Sequence, residues 1–115
     1  MNEFMMIFRH DPSTQNAQPS PEEIQASIKQ WQDWIGAIAQ EGKFVSTQQL
    51  GFQGKTLKGS EIITDGPYAE VKEIVGGTLI VKTDTLEEAL ELAKGCPILA
   101  IGGNVEVREL MKLDF

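Results

Sequence analysis

With 115 residues, the chain has room for one domain, spanning 1-115, whose core removes roughly two thirds of the unfolded surface from water. Hydrophobic residues at 41% and charged residues at 23% are ordinary globular usage and exclude wholesale disorder, while a single cysteine, Cys96, excludes an internal disulfide. Ten basic against seventeen acidic residues leave a net charge of −7, which disfavours direct nucleic-acid binding because no basic footprint is available to displace counterions from phosphates.

No apolar run follows a basic start, and no stretch approaches the ~18 apolar residues of a membrane span, so neither a secretory leader nor membrane contact is expected. A cytoplasmic, reducing location is the expectation that follows, in keeping with the lone cysteine.

Residues 3 to 9 carry Phe4, Met6 and Phe8 on one face and Met5 and Ile7 on the other, which predicts a strand covered on both sides. His10 to Ser20, rich in Pro, Ser, Gln and Asn, predicts a loop. Ser20-Pro21-Glu22-Glu23 is a helix start, with serine as the cap, proline in the first turn and glutamate three residues after the cap. Ile24, Ile28, Trp31, Ile35 and Ile38 then draw an apolar stripe down a helix to about Gln40, with Trp34 beside it and Gly42 ending it. Phe44 to Leu50 predicts a second strand with Phe44, Ser46, Gln48 and Leu50 on one face and Val45, Thr47 and Gln49 on the other. Glycines at 51, 54 and 59 predict a β-hairpin insert at about 51-65, turning near Lys58-Gly59-Ser60.

Val75 to Thr83 is the clearest strand, with Leu79 and Val81 on one face and Ile80 on the other. It opens on Gly76-Gly77, a pairing that marks a bulge or the close approach of another backbone or a ligand. Thr85-Leu86-Glu87-Glu88 is a second capping box, followed by Leu86, Ala89, Leu90 and Ala93 at helical spacing and stopped by Gly95 and Pro97. Val105 and Val107 alternate with Glu106 and Arg108 in a final strand. Strand, helix, strand, hairpin, strand, helix, strand predicts an α+β, ferredoxin-like antiparallel sheet with two helices on one face. Two helices hide only one face, so the apolar positions on the other call for a partner, most simply a homodimer.

The hairpin leads into Asp65-Gly66-Pro67-Tyr68-Ala69-Glu70-Val71-Lys72-Glu73, where Asp65 and the Gly-Pro pair form a rigid bend that presents Glu70, Lys72 and Glu73 beside one aromatic ring, Tyr68. This stretch closely resembles the Asp-Gly-Pro-Phe-Ala-Glu-Thr-Lys-Glu signature of the DGPF family, a branch of the YCII-related proteins, and differs only at Tyr68 and Val71. The closing Gly102-Gly103-Asn104-Val105-Glu106-Val107-Arg108 resembles the family's Gly-x-Val-Glu-Val-Arg ending. The resemblance implies a dimeric α+β barrel in which two sheets face each other. It also implies, for the enzymatic relatives, a His-Asp pair on the first helix and just after the second. Here the first helix has no histidine and the second ends Lys94-Gly95-Cys96-Pro97, so both groups are missing.

The chemical candidates are few. Gly54-Lys55-Thr56 ends like a phosphate-binding loop, but Gln49 stands where the motif needs glycine, and no helix is predicted to follow Thr56. One histidine and one cysteine make no zinc site, so no metal and no cofactor is expected. His10, at the end of the first strand, is a catalytic candidate together with Asp65 and Glu70. Cys96 reads as a small buried residue at a helix end. With the last strand beside the first, Glu106 and Arg108 are expected near Arg9 and His10. Arg9, Asp65, Tyr68, Glu70, Lys72, Glu73 and Arg108 then form a candidate binding site for a small polar or anionic ligand, or else an ion-paired network at a dimer seam.

Three functions remain open on these grounds. The first is a small homodimeric ligand-binding or regulatory module. The second is an acid/base enzyme, a YCII-like lyase or hydrolase, at the same cleft. The third, implied only by the resemblance, is a transcription-related accessory protein touching an extracytoplasmic-function sigma factor or polymerase.

Overall fold

The computed structural model describes residues 1–11, 20–51, 53–64 and 74–112. The signature at 65–73 and most of the loop at 10–20 therefore lie outside the described residues.

The chain runs β1 (Asn2–His10), α1 (Pro21–Gln40), β2 (Phe44–Gln49), β3 (Thr56–Lys58), β4 (Glu61–Thr64), β5 (Ile74–Thr83), α2 (Leu86–Ala93) and β6 (Asn104–Glu109). β2, β5, β1 and β6 form one antiparallel sheet in that spatial order, which is the expected ferredoxin-like arrangement. Both predicted helix starts hold: Ser20 Oγ accepts from the Glu23 N–H at 3.2 Å and Thr85 Oγ1 from the Glu88 N–H at 3.2 Å. Gly42, at φ +72°, takes the left-handed conformation that ends α1. After α2 the sequence suggests a plain connection, but Pro97–Ile101 forms a 3-10 turn closed by Gly102 at φ +84°.

Both helices pack on one face of the sheet. Phe4, Met6 and Phe8 of β1 and Leu79 and Val81 of β5 are buried there against Ile38 of α1, Ala89 and Ala93 of α2, and Ile98. Trp34 widens the seam as expected, because its indole N–H donates to the Leu92 carbonyl at 2.9 Å and so ties α1 to α2. Gly95 does more than stop a helix, since a Cβ there would stand 3.0 Å from the Trp34 ring.

The opposite face carries Met5, Ile7 and Ile80, each half-buried, with Ile80 opposite Met5 and Thr78 opposite Ile7. β3 and β4 pair with each other through the Gly59-Ser60 turn, and Leu57 and Ile62, directly opposed, both remain exposed. Because Thr56 begins a strand rather than a helix, a phosphate loop at Gly54-Lys55-Thr56 is excluded by geometry as well as by sequence.

Two irregularities shape the sheet, one level with the start of β1 and one where β1 finishes. In β2 the register shifts between Phe44 and Ser46, so that Phe44 lies opposite Val81 while Ser46 lies opposite Ile80. Phe44 therefore faces the helices with Thr47 and Gln49, not the far side with Ser46 and Gln48 as unbroken alternation suggests; the bulge at Val45 is the reason. In β5, Phe8 pairs with Gly77 and Arg9 with Val75, which leaves Gly76 as the extra residue. Its carbonyl accepts from the Leu50 N–H at 2.9 Å.

Candidate functional site

The apolar stripe of α1 is used unevenly. Ile38 is buried and Trp31 and Ile35 are half-buried, but Ile24 and Ile28 remain 45% and 50% exposed. The helix overhangs the sheet at its N-terminal half. Beneath the overhang lies a cleft of about 490 Å³, within the usual range for a small-molecule site.

α1 contributes Ile28, Trp31 and Ile35 to this cleft from above. Phe8 and His10 of β1 and the Gly76-Gly77 pair of β5 line it from the sheet, and Ile98 and Ile101 of the 3-10 turn close one side. Thr47 and Gln49 at the end of β2, with Ser27 and Gln32 on α1, supply neutral hydrogen-bonding side chains, while Gln48, also at the wall, turns its side chain to the far face, where its Oε1 accepts from Thr78 Oγ1 at 3.4 Å. Phe8, Trp31 and Trp34 brace one another edge to face, with centroids 5.2 Å apart for Phe8 and Trp31 and 5.7 Å for the two tryptophans.

Each glycine of the pair has a distinct use. A Cβ on Gly77 would meet the Gln48 carbonyl oxygen at 2.8 Å, so the missing side chain lets β2 approach β5. A Cβ on Gly76 would stand 3.0 Å from His10 Nε2 and 3.3 Å from Cδ2, so the imidazole occupies space that only glycine leaves free. The sequence reading of a bulge or a close backbone approach holds at both positions. In a Gly76→Ala protein the ring must give by a few tenths of an ångström. The strain is offset in part by about 0.4–1 kcal/mol of lost unfolded-state entropy. Stability is expected to change little while the His10 ring resonances shift in a two-dimensional NMR spectrum; unchanged resonances would contradict this packing.

His10 ends β1 and, like Phe8 two residues before it, faces the helices. Its Nδ1 is buried and has no hydrogen-bond partner among the described residues. Leaving such an atom unpaired costs about 1–3 kcal/mol, a penalty that proteins tolerate chiefly where a ligand or a water completes the set.

Arg9 points to the other side of the sheet. Its Nη1 donates to Glu106 Oε1 at 2.6 Å, and Arg108 Nε lies 3.8 Å from Glu106 Oε2. The expected meeting of Arg9, Glu106 and Arg108 is thus found, but His10 is not part of it, because neighbouring residues of a strand face opposite ways. The remaining candidates, Asp65, Tyr68, Glu70, Lys72 and Glu73, lie outside the described residues; Ile74, which follows them directly, pairs with His10. Phe8, Trp31 and the glutamines were not singled out as site residues from sequence. The usable signal was the glycine pair read together with alternation along β1.

Cys96 is buried, as expected, and burial pushes its thiol from 9.0 up to about 11, against a smaller opposing pull from a backbone hydrogen bond at Ile98. The thiolate is the disfavoured form, so alkylation of the native protein at pH 8 is expected to be negligible. Because the folded pKa is the raised one, stability holds below pH 9 and declines as pH rises towards 11, a trend that denaturant titrations at several pH values will reveal.

Among the described residues, no helix is long and apolar enough to cross a membrane. No curated protein matches the chain. The model of the YCII-related domain, by contrast, matches residues 2–114, nearly its full length, and with that span the protein belongs to the YCII-related domain family.

Proposed function

We propose that the protein is a small-molecule-binding module, homodimeric in solution, whose ligand occupies the cleft between α1 and the sheet. The observation that carries this reading is the uncovered half of the α1 stripe above a concavity lined by His10, whose buried Nδ1 has no hydrogen-bond partner among the described residues. The near-complete signature supports placing the chain in the DGPF branch of the family. Asp65, Tyr68, Glu70, Lys72 and Glu73 belong to the same proposal on sequence grounds, since the chain passes from Glu73 directly into Ile74, the residue opposite His10. Arg9 and Arg108, paired with Glu106 on the far face, fit better as groups that set subunit register.

Small molecules retained by natively purified protein, extracted and identified by mass spectrometry, test the site. A compound held at about one per subunit and lost in an Ile35→Trp variant, which fills the cleft, supports it; equal retention by both proteins places the ligand elsewhere.

The dimer is supported by Met5, Ile7 and Ile80, a half-buried apolar row on a sheet face away from both helices. Sedimentation at micromolar concentration is expected to give twice the chain mass, and Ile7→Lys, which places a charge in the seam, is expected to give folded monomers. A monomeric wild-type protein would contradict this part.

A further inference from the structure

We draw no further inference here: the strongest candidate, the exposed apolar pair Leu57 and Ile62 that stand opposite each other on the β3–β4 hairpin, carries nothing because nothing in the structure shows what covers it.

Discussion

Replacement of Gly103 by alanine is expected to remove about 3 kcal/mol of stability, on the order of 10 °C in Tm for a domain of this size. A Cβ at this position would stand 2.5 Å from Ile98 Cγ1, 2.7 Å from the Arg9 carbonyl oxygen and 3.0 Å from the Ile98 carbonyl oxygen. Two of those atoms are backbone, one of them in the central strand β1, so relief requires moving β6 or the 3-10 turn. The Gly103 N–H also donates to the Ile98 carbonyl at 2.9 Å, and the same shift weakens that bond. Its neighbour provides the control. Gly102 has nothing within 4 Å of a Cβ but sits at φ +84°, so Gly102→Ala is expected to cost only the conformational ~1–2 kcal/mol of a left-handed residue. Chemical denaturation of the two variants separates the cases; equal losses would mean that steric crowding at Gly103 is not what fixes that position.

Phe8→Ala is expected to cost about 3–5 kcal/mol and to abolish binding in the cleft. Phe8 is 4% exposed, lies in the central strand, and meets Trp31 and Trp34 with centroids at 5.2 and 6.0 Å. Its removal leaves a cavity at the point where the cleft meets the core, so both tryptophans lose their brace. Phe8→Leu keeps most of the volume but not the aromatic edge. It is expected to retain the fold at a cost below about 1.5 kcal/mol and to weaken ligand binding more than stability. Thermal melts paired with titrations of the fluorescent probe N-phenyl-1-naphthylamine give both numbers, and a Phe8→Leu protein that binds normally would remove the aromatic trio from the account of the site.

Much of the fold was legible before any coordinates. Both helix starts could be read from Ser20 and Thr85 because a cap is a local pattern, a side-chain oxygen meeting a backbone N–H three residues on. The strand order was expected from the ferredoxin-like arrangement that the succession of strands and helices implies. Two things did not follow. The bulge at Val45 turns Phe44 towards the helices, and no residue in that stretch announces it. The overhang of α1 was also hidden, since Ile24 and Ile28 lie on the same apolar stripe as Ile35 and Ile38 and the period says nothing about where the opposing sheet ends. The grouping of His10 with Arg9 was avoidable, because alternation along β1 already sends them to opposite faces. The Gly76-Gly77 pair was the most informative signal. It marked both the bulge that receives the imidazole and the seam where β2 closes on β5.

The most direct test is an amide chemical-shift map of the uniformly labelled protein titrated with N-phenyl-1-naphthylamine. Perturbations concentrated at Phe8, His10, Ile28, Trp31, Gln48 and Gly76 are the expected result. Perturbations centred instead on Met5, Ile7, Arg9, Glu106 and Arg108, or spread evenly over the surface, would contradict a ligand site between α1 and the sheet.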